Sequence, residues 1–224
     1  MKRRIALYGG TFDPVHLGHL EVARRLLELF ALDEVLFIPA YVAPHKRQSR
    51  VSPALDRYAM LALATQGDER LRISTLELDA PEKPYTVETL ERMQQEFGAQ
   101  AQLFFVMGAD SWSEIFTWHE WERVLASSNH IIVTRPGYEL QTGQFAPAVS
   151  ERIIDVRKLD RQEIDARMNG LGETRIYITD AVMMDVSATA IRASARTGRV
   201  EEFSQKVPPP VAEYIMKYEL YGNE

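Results

Sequence analysis

The amino-acid sequence predicts an α/β fold in which helices flank an open parallel sheet on both faces. Apolar runs of strand length alternate along the chain with longer segments whose apolar residues recur at helical spacing. The first apolar run, residues 3–8, leads directly into Gly9-Gly10 and then into a helical segment. This alternation is typical of the crossover units that build parallel sheets.

Each element is predicted from its own pattern. Residues 17–30 place apolar side chains at helical rather than alternating positions, and Pro53 is suited to a helix start. The predicted strands are residues 3–8, 34–39, 71–75, 102–107, 130–134 and 174–179. The predicted helices are residues 17–30, 53–65, 87–97, one that begins near Ser187, and 211–218. This element order indicates a Rossmann-like sheet.

The length of the chain favours a single domain over residues 1–224. Residues 137–172 interrupt the alternation, because they are polar and rich in glycine. We expect a variable peripheral excursion with short helices there. A C-terminal helical segment is expected over about residues 187–220.

Composition excludes several classes of protein. The chain has 224 residues, a formal net charge of −6 and no cysteine, which excludes disulfide frameworks and thiolate catalysis. No basic face of the kind that binds nucleic acid is evident, and no apolar run approaches the roughly 18 residues that cross a bilayer. We expect a cytoplasmic protein without nucleic-acid or membrane partners, and the sequence is compatible with a homo-oligomer.

The strongest local signal is GGTFDPVHLGH, residues 9–19, between the first predicted strand and the first predicted helix. Its leading glycines lack a Cβ, so a phosphate or sugar can approach the backbone closely. His16 and His19 are three residues apart at the helix start, where their rings share a face and free N–H groups attract anions. Gly18 between them leaves room for a nucleobase or phosphate.

Other chemistries fit this segment less well. Two histidines could bind zinc, but no cysteine or nearby carboxylate completes a ligand set. The chain contains neither a GxxxxGK[ST] phosphate loop nor a GxGxxG dinucleotide pattern. The sequence HEWER at residues 119–123 lacks the second histidine of a zinc-protease helix.

The segment resembles the signature of the nucleotidyltransferase superfamily whose hallmark is HxGH, present here as residues 16–19. In that superfamily the two histidines contact ATP phosphates and stabilise the pentavalent transition state. The resemblance implies the same roles for His16 and His19.

A second hallmark of the superfamily is a turn rich in serine and threonine that ends in arginine, matched here by VSATAIR at residues 186–192. Ser187 is suited to the N-cap, Ser187 and Thr189 could offer hydroxyls to phosphates, and Arg192 could supply a permanent charge. Gly108 and Asp110 follow a predicted strand, and the resemblance implies that they hold adenosine. The implied ATP-binding residues are Gly9, Gly10, Thr11, Phe12, His16, Gly18, His19, Gly108, Asp110, Ser187, Thr189 and Arg192. The candidate catalytic residues among them are His16, His19 and Arg192.

Three further matches resemble bacterial-type nicotinate-mononucleotide adenylyltransferases: PHK at residues 44–46, YTVETL at residues 85–90, and Thr117-Trp118 followed by Trp121-Glu122. Thr86 is suited to capping a helix whose N–H groups could bind the nicotinate carboxylate, although Glu88 opposes this electrostatically. Trp118 could stack on the pyridine ring. The implied mononucleotide-binding residues are His45, Lys46, Tyr85, Thr86, Trp118 and Arg135.

The resemblance implies transfer of AMP from ATP to nicotinic acid mononucleotide, with Mg²⁺ carried mainly by phosphates and water because the sequence shows no acidic cage. Pantetheine-phosphate adenylyltransferases share the first motif, but they leave residues 85–90 unexplained. A cytidylyltransferase and a non-catalytic nucleotide sensor are the remaining alternatives.

Overall fold

A computed structural model of the protein describes residues 2–41, 51–80, 84–134, 145–168, 173–181, 184 and 186–222. The strands are β1 Arg3–Gly10, β2 Glu34–Pro39, β3 Leu71–Ile73, β4 Ala101–Gly108, β5 Asn129–Val133, β6 Ile153–Asp155 and β7 Ile176–Thr179. The helices are α1 Leu17–Leu29, α2 Ala54–Thr65, α3 Thr86–Phe97, α4 Ala109–Ser113, α5 Trp121–Ser127, α6 Pro147–Ser150, α7 Arg161–Met168, α8 Ala188–Arg196, α9 Val200–Ser204 and α10 Pro209–Lys217. Within these residues, no helix is long and apolar enough to span a membrane.

The strands form one parallel sheet in the order β3-β2-β1-β4-β5-β7-β6. The chain builds outward from β1 to β3 and then returns to place β4 on the other side of β1. Leu7 of β1 pairs with Leu36 on one side and with Phe105 on the other. This reversal of direction opens a crevice at the carboxyl ends of β1 and β4, where ligands of such sheets bind.

Two apolar clusters cover the two faces of the sheet, because successive side chains of a strand point to opposite faces. Ala6 and Phe104 belong to one cluster, which also contains side chains of α1, α2 and α10. Leu7 and Phe105 belong to the other cluster, with side chains of α3, α4 and α5. The predicted Rossmann-like arrangement, with helices on both faces, is confirmed.

The structure differs from the sequence prediction in several short elements. Strand β6 lies inside the segment predicted as a helical excursion, and it pairs with β7 at the edge of the sheet. Its three residues carry too little pattern to predict a strand, so its conformation depends on the neighbouring β7. The predicted C-terminal helical segment is divided into α8, α9 and α10, and Pro53 is the N-cap of α2 rather than its first residue.

His130 on β5 introduces a buried titratable group into the core. The ring is fully buried, and the ring of Phe105 meets it edge-on with 5.9 Å between centroids. Burial disfavours the charged imidazolium and lowers the pKa of His130 from 6.5 to about 3. The unfolded chain therefore binds one more proton than the folded chain at pH values between these two.

We predict that His130 makes the folded protein less stable as the pH falls from 6.5 toward 3. Below pH 6.5 the free energy of unfolding should decrease by about 1.4 kcal/mol per pH unit for this one proton. In a His130→Leu variant, urea unfolding between pH 6 and pH 4 should show a pH slope that is shallower by that amount. Equal slopes in the variant and the parent protein would contradict the prediction, whatever the absolute stability of the variant.

Candidate active site

Residues 11–16 connect β1 to α1 at the crevice without forming a helix or strand. Phe12 adopts a left-handed φ of 50°, and its side chain is buried. The ring packs edge-on against Phe37, with 5.4 Å between centroids, and against His19, with 5.0 Å between centroids. The side chain of Phe12 therefore supports the loop and His19 from the core.

His16 and His19 form a stacked pair at the start of α1. Their ring centroids are 3.6 Å apart, and the ring planes are inclined by 21°. The backbone N–H of His16 donates to Nδ1 of His19 over 3.2 Å. Because this nitrogen accepts a hydrogen bond, the neutral ring of His19 carries its proton on Nε2. Burial lowers the pKa of His16 to about 4, so its ring is neutral at pH 7.

The glycines of the motif make room for protein side chains. A Cβ on Gly18 would lie 3.2 Å from Nδ1 of His16, closer than ordinary packing allows. A Cβ on Gly10 would lie 2.8 Å from Cζ of Phe12. Gly18 thus keeps the imidazole of His16 in place, a function that the sequence analysis attributed only to ligand space.

The second motif contacts the first. Ser187 is the N-cap residue of α8, as predicted, although its side chain makes no capping hydrogen bond. One turn later Arg192 donates from Nη1 to the backbone oxygen of Asp13 over 2.6 Å and from Nη2 to the hydroxyl of Thr189 over 3.3 Å. The guanidinium is therefore attached to the loop that precedes the two histidines.

Asp13 joins this loop to two further parts of the chain. Its buried carboxylate accepts from the hydroxyl of Tyr221 at 2.8 Å and from the backbone N–H of Ser52 at 3.2 Å. Tyr221 lies four residues after the end of α10, far from the loop in sequence, and no sequence pattern predicts this contact. The C-terminal segment thus helps to fix the loop.

A cleft of about 350 Å³ begins at this loop and crosses the crevice between β1 and β4. Gly9, Gly10 and Thr11 line one end of it, and Gly108 lines it at the end of β4. Glycine at these strand ends leaves the backbone accessible to a ligand. The volume is in the range that holds small ligands.

The other end of the cleft is lined by the start of α3 and by aromatic side chains. Tyr85 is the N-cap residue and Thr86 the first residue of α3, so the prediction that Thr86 caps the helix is wrong by one position. Glu88 turns back and accepts from the backbone N–H of Tyr85 over 3.0 Å, which keeps this carboxylate at the cap. Trp118 is half-buried, with its ring edge-on to Phe105 at 6.3 Å between centroids.

The remaining predicted residues are placed differently. Asp110 is exposed in the first turn of α4, and the cleft wall there consists of Gly108 and Ser111 instead. The other predicted mononucleotide-binding residues, His45, Lys46 and Arg135, lie outside the described residues.

The comparisons with known proteins agree with these features. Residues 7–194 match the model of the cytidylyltransferase-like family. A Pelobacter propionicus protein named "probable nicotinate-nucleotide adenylyltransferase" is 34% identical over 221 residues, which cover 98% of this chain and 99% of that protein. A Corynebacterium glutamicum protein of the same name is 33% identical over 223 residues, which cover 100% of this chain and 90% of that protein.

The chain belongs to the nicotinate-nucleotide adenylyltransferase family. The resemblance to this family, inferred from residues 44–46, 85–90 and 117–122, is thereby confirmed. Among solved structures, Plasmodium falciparum nicotinic acid mononucleotide adenylyltransferase complexed with NaAD aligns with a TM-score of 0.72 at 17% identity, covering 99% of this chain and 98% of that one. A Vibrio parahaemolyticus structure aligns with a TM-score of 0.62 at 18% identity. These two likenesses concern the fold.

Several residues of the site were missed by the sequence analysis. Glu77 and His119 also line the cleft, and the ring centroid of His119 lies 4.2 Å from that of Tyr85. Arg57 is buried on α2 behind the loop. A signal for Arg57 exists, because it is in helical register with the buried Met60 and Leu61.

We predict that Gly18→Ala lowers turnover in this adenylyltransferase family member about 10-fold, because the added methyl group displaces the ring of His16. Gly67→Ala is the matched control, since a Cβ there meets no atom within 4 Å. Steady-state rates of pyrophosphate release, together with thermal unfolding of both variants, provide the measurement. Equal turnover in the two folded variants would show that His16 does not need this space.

Proposed function

We propose that the protein transfers AMP from ATP to nicotinic acid mononucleotide, forming deamido-NAD and pyrophosphate in NAD biosynthesis. The observation that carries the proposal is the contact between the two motifs: Arg192 donates to the backbone oxygen of Asp13 over 2.6 Å, beside the stacked histidines. A cleft leads from this loop to an end lined by aromatic side chains and the start of α3. One triphosphate and one mononucleotide can therefore meet in it.

ATP binds with its phosphates at His16, His19 and Arg192 and with its adenosine along the glycine-rich strand ends. His19 presents an Nε2 proton because its Nδ1 already accepts from the backbone. Arg192 contributes charge and donors, and the hydroxyls of Ser187 and Thr189 complete the phosphate site. The backbone of Gly9, Gly10, Thr11 and Gly108 faces the sugar and base, while Phe12 supports the loop from the core and Gly18 leaves room for the ring of His16.

Nicotinic acid mononucleotide binds at the other end of the cleft. The first turn of α3 offers backbone N–H groups at Thr86 to the nicotinate carboxylate, and a helix N-terminus favours an anion there. The ring of Trp118 stacks on the pyridine, and Tyr85 closes the side of the pocket. His45, Lys46 and Arg135 belong to this half of the site, where Lys46 and Arg135 can neutralise phosphates of the mononucleotide or of ATP.

The 5′-phosphate of the mononucleotide attacks the α-phosphorus of ATP in line, forming the new P–O bond as the bond to pyrophosphate breaks. The attacking oxygen is already anionic, so no general base is required. Catalysis depends on alignment and on donors aimed at the developing charge, as in phosphoryl transfer generally. His16, His19 and Arg192 act as hydrogen-bond donors in this step, and Arg192 also provides a fixed positive charge.

Mg²⁺ enters as part of the MgATP substrate, held by phosphate oxygens and water. Among the described residues, no group of three or more histidine, aspartate or glutamate side chains is arranged to hold a metal ion. The protein acts in the cytoplasm, and self-association into a homo-oligomer is compatible with the proposal.

The activity is tested by incubating purified protein with ATP and Mg²⁺ and one acceptor at a time, while pyrophosphate is measured. We expect release with nicotinic acid mononucleotide to exceed release with nicotinamide mononucleotide and with phosphopantetheine. Replacing ATP with CTP in the same assay tests whether the protein is a cytidylyltransferase. No pyrophosphate with any acceptor, despite ATP binding, would instead support a nucleotide sensor.

We predict that His19→Ala lowers turnover about 10²–10³-fold with only a modest change in ATP affinity, because the lost donor acts mainly on the transition state. Single-turnover rates at saturating substrate and ATP titration of the same variant separate the two effects. Near-parental turnover in a folded variant would refute the assigned role.

A further inference from the structure

A buried guanidinium outside both motifs connects three backbone segments near the cleft. Arg57 on α2 is only 1% exposed. It donates to the backbone oxygen of Thr11 from Nη1 at 2.7 Å, of Tyr41 from Nη2 at 3.1 Å and of Ser52 from Nε at 3.1 Å. The planar, rigid fork of arginine fixes the relative positions of these three oxygens.

A carboxylate on the cleft wall continues this chain of contacts toward the acceptor end. Glu77 accepts from the hydroxyl of Thr89 on α3 over 2.8 Å. Burial raises the pKa of the Glu77 carboxyl, while the Thr89 hydroxyl, the nearby backbone N–H of Tyr41 and the charge of Arg57 act in the opposite direction. The carboxylate thus joins α3 to the residues that follow β2.

Tyr41 lies between the two charged groups, since Arg57 donates to its C=O group and its N–H group is near the carboxylate of Glu77, which lines the same cleft. The result is a series of neighbours from Thr11 through Arg57, Tyr41 and Glu77 to Thr89, which we call the Arg57–Glu77 bridge. Thr11 lines the ATP end of the cleft, and Thr89 lines the acceptor end.

We propose that the Arg57–Glu77 bridge sets the distance between the loop at residues 11–16, where ATP is proposed to bind, and the acceptor pocket at the start of α3. Arg57 and Glu77 are then positioning residues for adenylyl transfer. The proposal rests on the function proposed above. Neither side chain needs to touch a reacting atom, because each acts through backbone groups that frame the cleft.

The bridge has a specific kinetic consequence. If it is broken, each half of the site keeps its own contacts, so each substrate still binds. The attacking phosphate and the α-phosphorus lose their alignment, and alignment contributes to the rate of the chemical step. The effect should therefore fall on kcat, with little change in either KM.

The test uses two variants that preserve size or charge. Glu77→Gln removes the negative charge and one of the two acceptor oxygens, and Arg57→Lys keeps the charge but loses the fork. We expect kcat to fall about 10-fold or more in each, from the loss of hydrogen bonds to a charged group, with each KM within about threefold of the parent value. Because both residues act through the same bridge, their effects should not multiply. The kcat of the double variant should lie within about twofold of the kcat of the slower single variant.

Matched controls separate positioning from general damage to the core. Glu34→Gln alters a carboxylate that is 6% exposed and is paired with Arg3 at 2.7 Å, near the other end of the strands. Thr65→Val removes a buried hydroxyl that donates to the backbone of Leu61 at 2.9 Å, and it is the control for Thr89→Val. We expect both controls to keep the parental kcat, and Thr89→Val to lower it in the same direction as Glu77→Gln.

A measurement independent of activity completes the test. Hydrogen exchange of the Tyr41 amide, followed by NMR, should be about 10-fold faster in Glu77→Gln than in the parent protein or in Glu34→Gln. Unchanged exchange would overturn the bridge even if the protein proves to use another acceptor. Parental kcat in Glu77→Gln, or a raised acceptor KM at constant kcat, would overturn its positioning role. Failure of the parent protein to use nicotinic acid mononucleotide, with exchange altered as expected, would refute the proposed acceptor alone.

Discussion

The shape of the loop at residues 11–16 depends on hydrogen bonds donated by side chains from distant parts of the chain. Residues 11–16 have no helix or strand to satisfy their backbone oxygens. Arg57 donates to the oxygen of Thr11, and Arg192 donates to that of Asp13. Because unpaired buried carbonyl groups are costly, these two guanidinium groups favour one loop conformation over the alternatives. The stacked histidines then follow from that conformation, since α1 begins directly after the loop.

The central part of the fold could be predicted from sequence because its strands are long and buried on both faces. Strands β1, β2 and β4 each contain an apolar run that only a covered sheet accommodates, and the glycines after β1 identify where the first crossover begins. Strand β6 could not be predicted, since its three residues are exposed or half-buried and their conformation depends on hydrogen bonds to β7. The hydrophobic pattern of a segment predicts a strand only where the segment is long enough and buried enough to show that pattern by itself.

The site divides in the same way. His16, His19 and Arg192 were found because their spacing forms motifs, and the structure places Arg192 on the loop next to the histidines. Tyr221 and Glu77 were missed, because their importance comes from a partner far away in sequence: Tyr221 binds the carboxylate of Asp13, 208 residues earlier. Such contacts leave no periodicity or composition signal, and a single sequence cannot reveal them. The polar supports of the loop are therefore visible only in three dimensions.

A chain with a net charge of −6 must bind two anionic substrates by local arrangement rather than by overall attraction. Arg192 donates one N–H to a backbone oxygen, and this hydrogen bond orients its remaining donors. Burial keeps the ring of His16 neutral, with a pKa of about 4. A phosphate beside that ring would favour the protonated form and oppose the effect of burial. Under the proposed function, the positive charge of the cleft then increases only when the triphosphate binds. Before binding, the protein does not carry a buried imidazolium at His16 without a partner, which would be unfavourable.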